Sequence, residues 1–446
     1  MKEKHLFSNR MLITLLVPVV CEQVLNSLMG TVDTVMVSRV GSAAMSAASL
    51  VDSINILIIY AFAALATGGA IICAQYVGSR KYERASEVGR QLVCVVTIIS
   101  VLTAAFCLIF QDGILHLIFG QVDADVMEQS KIYFFYTAMS FPFIALYNAG
   151  AAVFRSQENT KGPMLISVSS NLLNILGNAF LIFVLDMGIA GAAIATLLSR
   201  VYSAVFVLWR LYHKKNKVPV RSYHTIRPNG PMIKKILTLG IPNGIENGMF
   251  QLGKLAIQST VSTLGTIAIA ANAMTSIEEQ LSSMAAIGIG IGMMTVVGEC
   301  IGAGRQDEAV YYIKKLFCVS EVVMILSCVG VYLMTGPLTR IGAMEAESAS
   351  LCIFMTLCIT IVKPIFWTSA FVPAYGMRAA GDVRFSMTVT TTTMWVCRFC
   401  ITVFLIRVMG FGPIAVWIGM FCDWAVRGLI FQWRFYSRKW LKHQVI

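Results

Sequence analysis

Long apolar runs alternate with short polar or basic patches along the whole chain. At about 20 or more largely apolar residues per helical crossing of a bilayer, the pattern predicts twelve spans. The first six run over 11–37, 46–75, 88–111, 131–154, 163–185 and 189–211. The second six run over 236–261, 268–299, 312–336, 350–376, 385–407 and 412–434. Between the sets lies a polar stretch, His213 to Lys235, containing Pro219, Pro228, Asn229, Gly230 and Pro231. The expected organisation is therefore a first lobe over 1–212, a linker over 213–235 and a second lobe over 236–446. The linker is expected to lie on the membrane surface and to absorb rocking of one lobe against the other.

The two sets repeat. Pro18 and Glu22 lie 224 positions before Pro242 and Glu246, and at the same offset Gly41 matches Gly265, Ala47 matches Ala271, Gly68 matches Gly292 and Gly78 matches Gly302. No gap is needed from Leu12/Ile236 to Ala85/Ala309. An even number of spans per half makes the repeats parallel, related by an axis along the membrane normal, with the working site expected between the copies. The predicted fold class is an all-α integral membrane protein, twelve transmembrane helices in two pseudo-symmetric six-helix lobes.

Composition supports a life in lipid. Hydrophobic residues make up 57% of the chain and charged residues 13%, against about 25% charged in a soluble domain; mean hydropathy is +0.73. The first apolar segment is too long for a signal-peptide core and lacks a small-residue cleavage site, so no cleavable leader is expected. Lys and Arg gather on one side: Lys2, Lys4 and Arg10, then Arg80, Lys81, Arg84 and Arg90, the linker, Arg305, Lys314 and Lys315, and the tail. The loops opposite are acidic. This bias places both termini and the linker in the cytoplasm, with the chain multi-pass in the cell membrane. It also accounts for the net charge of +12 without a nucleic-acid partner. The expected partners are small molecules and the lipid bilayer, with the chain a monomer. The Cys397-x-x-Cys400 pair lies inside a span and reads as packing rather than a redox or zinc site. The glycines at 288, 290 and 292 read as close helix approach.

Ionisable and amide groups at membrane depth are costly and mark candidate sites. Asp33 sits in the outer part of span 1, where its repeat partner is Ile257. Asn171, Asn174 and Asn178 fall at i, i+3 and i+7 on one helical face of span 5, extended by Ser167 and Ser170. Such a stripe can glue helices together or line a wet cavity. Glu22 and Glu246, each four residues after a proline, read as an architectural pair. Glu278 and Glu279 in the second lobe either attract a cation to a substrate cavity, together with Asn171, or pair with Lys254. Asp423 and Arg427 are expected to pair along one helix. Asp52 and Glu321 are further intramembrane charges.

Val32-Asp33-Thr34-Val35-Met36-Val37-Ser38-Arg39-Val40-Gly41 resembles the V-D-T-x-x-V-G/S-R-x-G stretch of the multidrug and toxic compound extrusion (MATE) transporters. The stretches Gly188 to Thr196, Val297 to Arg305 and Met377 to Asp382 are similar to that family as well. The resemblance implies two six-helix lobes that export cationic or amphipathic organic compounds, drugs among them, against entry of H⁺ or Na⁺. It implies ion-coupling roles for Asp33, Asn174, Asn178 and Thr196, and a helix bend at Pro18. Asn178 stands where better-known members carry Asp, and the second-lobe acids of Na⁺-coupled members fall near Phe250 and Trp367. The resemblance therefore favours H⁺ coupling through the first lobe. No cofactor is expected beyond the coupling ion, and no metal beyond Na⁺.

Two other readings are open. A flippase for a lipid-linked precursor would need several cavity cations for pyrophosphate; the spans offer mainly Lys254, Lys363 and Arg398. A membrane enzyme would need clustered catalytic groups at membrane depth, yet His5, His116, His213, His224 and His443 all lie in loops or at ends.

Overall fold

In the computed structural model, residues 5–120, 122–213, 216–221, 227–342, 344–443 and 445–446 are described. Among them the regular structure is entirely helical. The predicted spans emerge as α1 (Asn9–Ser38), α2 (Ser42–Gly78), α3 (Tyr82–Ile109), α5 (Ala124–Met139) with α6 (Phe141–Ser156), α7 (Lys161–Asn178) and α8 (Gly188–Tyr212). A short α4 (Gln111–Phe119) follows α3. Then come α9 (Gly230–Val261), α10 (Thr266–Gly302), α11 (Gln306–Ile341), α12 (Ala346–Ala379), α13 (Val383–Thr393) with α14 (Ile401–Arg407), and α15 (Ile414–Tyr436).

Among the described residues, ten helices are long and apolar enough to cross a membrane, or eleven with the bent pair α5–α6 taken as one span. The pattern above counted twelve. The difference is α9, where Asn243, Glu246, Asn247, Gln251 and Lys254 interrupt the apolar run. The α5–α6 bend of 42° has a local cause. Pro142 lies in the first turn of α6, where it supplies no N–H to the preceding turn.

The duplication is visible in the backbone. Positive φ recurs at Gly41 and Gly265, at Arg80 and Gly304, at Glu158 and Gly381, and at Gly188 and Gly410, at offsets of 222 to 224 positions. Gly41 and Gly265 each precede a helix of 37 residues, α2 and α10. With φ at 145° and 92°, both demand a residue without Cβ. Spans 5 and 11 also share a stretch of π-helix, Ala179–Val184 after α7 and Met394–Cys400 after α13.

The helices form two compact units, and both seams fall inside helices. Leu25–Gly244 form one; the residues through Val24 join Ile245–Ile446 in the other. In the first unit, the early half of α9 lies against α2 so closely that a Cβ on Gly68 would come 2.6 Å from the Ile236 carbonyl oxygen and 2.7 Å from the Gly240 nitrogen. Backbone atoms cannot rotate away. Gly68→Ala is expected to cost about 1–3 kcal/mol, read as a lowered melting temperature of the purified protein. An unchanged melting temperature would reject this contact. The linker belongs to the same unit. Val218 N donates to Gln157 Oε1 (3.0 Å), and Gln91 bridges Arg227 O (2.8 Å) and Asn229 N (3.0 Å). Its described residues are thus fastened rather than slack.

In the second unit, the early half of α1 packs on α10, where a Cβ on Gly288 would meet Val20 Cα at 2.7 Å. Leu6 N donates to Glu308 Oε2 (2.9 Å), and Phe7 exchanges two hydrogen bonds with the Tyr312 hydroxyl (2.9 and 2.7 Å). A core containing Trp417, Trp424, Tyr312 and Met355 holds this unit together.

Candidate functional site

The first unit brings together the four residues expected to handle the ion. Asn174 and Asn178 lie one turn apart on α7, so their amides share a face. Asn178 is fully buried and its Nδ2 donates to Asp33 Oδ1 on α1. The orientation of Asn174 that satisfies both ends of its amide points nitrogen at Asp33 Oδ1 (3.3 Å). Its oxygen then accepts from Thr196 N (3.3 Å) and Thr196 Oγ1 (3.2 Å) on α8. Asn178 Oδ1 is buried and receives no hydrogen bond among the described residues. The stripe continues toward Asn26, whose Oδ1 accepts from Ser167 Oγ and from Asn171 Nδ2, each at 2.7 Å. Asn26 precedes Asp33 by two helical turns and so shares its face.

A second polar group flanks this cluster. Asp52 accepts from Asn55 (3.2 Å) and from the Tyr133 hydroxyl (3.3 Å). Arg200 donates to Ser140 Oγ (2.7 Å) and acts electrostatically on both Asp33 and Asp52. Residue-by-residue reading missed Arg200, Asn26 and Tyr133. Arg200 carried a signal, since it follows Thr196 by four positions on the same helical face. It sets a positive charge near Asp33, in addition to the neutral amides.

The other unit uses its charges differently. Glu278 accepts from Thr335 (3.0 Å) and Thr356 (2.6 Å). Glu279 pairs with Lys363 (2.8 Å), not with Lys254. Lys363, fully buried, also donates to Ser282 (2.7 Å) and Ser283 (2.6 Å). Asp423 and Arg427 pair as expected, with both carboxylate oxygens 2.8 Å from Nη2. Glu246 holds Arg378 (2.5 Å) and Ser386 (3.3 Å). Asn171 thus belongs to one unit and Glu278 and Glu279 to the other, each engaged by its own neighbours.

Chemically, the Asp33 cluster offers one carboxylate, amide and hydroxyl oxygens, and no metal-type soft ligand. That set suits a proton or a small hard cation. The MatE family model matches residues 18–180 and again 242–404, once per repeat. The chain belongs to the MatE family. Among its relatives, "Uncharacterized transporter YisQ" of Bacillus subtilis is 27% identical over 95% of this chain and 93% of that protein. "Probable multidrug resistance protein NorM" of Thermotoga maritima is 25% identical over 98% of this chain and 94% of that protein. A solved structure described as the outward-facing conformation of a multidrug resistance MATE family transporter superposes with a TM-score of 0.87. It is 20% identical and covers 98% of this chain and 97% of that one. This MatE chain is accordingly a multi-pass membrane transporter, and the membrane-enzyme reading falls away.

Proposed function

We propose that this chain is a secondary exporter of cationic or amphipathic organic compounds, driven by H⁺ entering through Asp33. The observation that carries the reading is the Asp33 cluster: a carboxylate at membrane depth held by Asn178 and Asn174, beside a buried Asn178 oxygen that no donor reaches among the described residues. An intramembrane carboxylate is retained at a cost, and a buried acceptor without a donor calls for a proton or cation in some state of the cycle. The names of the relatives support a drug-sized cargo. Protonation removes the charge of Asp33 and changes the packing of α1, whose internal proline, Pro18, supplies the bend. Termini and linker face the cytoplasm in this reading, following the Lys/Arg bias.

The test is dye efflux from proteoliposomes under separately imposed H⁺ and Na⁺ gradients. Efflux driven by the proton gradient alone is expected. Efflux that responds only to Na⁺ would overturn the coupling, and none under either gradient would overturn the exporter. Asn178→Asp adds the second carboxylate that a Na⁺ site favours. This variant is expected to gain a Na⁺-stimulated component of several-fold in the same assay.

A further inference from the structure

We infer that Lys254 and Arg398 form a receptor for the anionic group of an amphipathic solute, a carboxylate in the first instance. This rests on the transporter reading and names a class of cargo beyond simple cations. Lys363, Arg378, Arg427 and Arg434 in this unit each face a carboxylate within 2.8 Å. Lys254 and Arg398 are different: among the described residues neither lies within ion-pair distance of an acid. Glu279 and Asp423, the acids that act on them from further off, are engaged by Lys363 and Arg427.

Both cations converge on one ring. Lys254 Nζ stands 5.0 Å and the Arg398 guanidinium carbon 5.4 Å from the centroid of Phe250. Arg398 is only 7% exposed. Among the described residues its single hydrogen bond goes to the Met420 sulfur at 2.7 Å, a weak acceptor, and its Nε has no partner. It rides on the π-helical stretch Met394–Cys400, a distortion that recurs at functional sites. Lys254, on α9, is exposed.

A guanidinium that is nine-tenths buried without an anion carries a desolvation penalty that ring contact offsets only in part. The planar guanidinium fork matches a carboxylate, the ammonium adds a second charge, and Phe250 supplies an apolar surface for the body of the solute. Such a pair would rank amphipathic zwitterions and anions above their esters.

The experiment measures binding of two dyes to the full-length protein in phosphatidylcholine nanodiscs, by fluorescence polarisation. One is a rhodamine with a free carboxylate, the other its ethyl ester. Wild type is expected to prefer the acid. Lys254→Gln, at an exposed position, is expected to weaken the acid about tenfold and leave the ester unchanged. Lys254→Arg should retain the preference, and Arg398→Gln should lose it. Equal effects on both dyes, or an unchanged affinity for the acid in Lys254→Gln, overturn the inference. In phosphatidylglycerol nanodiscs the preference should persist; its loss there would give the pair to a lipid phosphate and overturn the solute assignment. Binding needs no gradient. An exporter reading that failed would show as absent gradient-driven efflux with this dye discrimination intact.

Discussion

Asp33→Asn protein is expected to insert and purify like the wild type but to lose gradient-driven efflux, by at least about 100-fold. Asparagine keeps the volume of the side chain and can still accept from the Asn178 amide, so the contacts of α1 with α7 survive. What disappears is the titratable oxygen and the charge that holds a small cation. Asp52 does not replace it, because its carboxylate is already engaged by Asn55 and Tyr133. The reading is dye efflux from proteoliposomes under an imposed pH gradient, with the elution profile in detergent as the control for folding. Wild-type efflux by Asp33→Asn protein would refute the mechanism.

Lys363→Met is expected to destabilise the second unit by about 3–5 kcal/mol, since it strands a partly buried carboxylate. Lys363 Nζ reaches Glu279, Ser282 and Ser283 at once, so its removal also leaves two hydroxyls without their acceptor role. Replacing Glu279 by Met in the same protein removes the stranded charge, and most of the loss should be recovered. Melting curves of the two variants beside wild type decide the matter. A single variant as stable as wild type, or a double variant no better than the single, would show that the ion pair does not hold these helices.

Helix content and the repeat were legible because they rest on run length and on glycines whose positive φ excludes other residues, as at Gly41 and Gly265. The ion cluster was legible in part. Asn174 and Asn178 stand out as amides on one face of an apolar helix, and Asp33 as an acid in a span. Tyr133 did not stand out, because it sits in the aromatic stretch Tyr133 to Tyr136 near the start of its predicted span. Arg200, midway along α8, is marked by the same rule as Asp33; what the sequence hid was its partners. Of the two readings open for Glu279, pairing with Lys254 is replaced by pairing with Lys363. Lys363, 84 residues away, reaches it only through the packing of α12 on α10. The seam between units was invisible for a similar reason. Composition marks the polar linker, whereas packing divides α1 between Val24 and Leu25 and α9 between Gly244 and Ile245.

That division sets an order for biosynthesis. Leu6 and Phe7 leave the ribosome about three hundred residues before their hydrogen-bond partners Glu308 and Tyr312. The Leu25–Gly244 unit likewise waits for Ile236 and Gly240 before Gly68 meets its neighbour. Neither covalent half is a complete folding unit. Chains truncated after residue 212 would expose the surface of α2 that α9 covers, a substrate for quality-control proteases, and separately expressed halves would have to exchange their first helices to become stable.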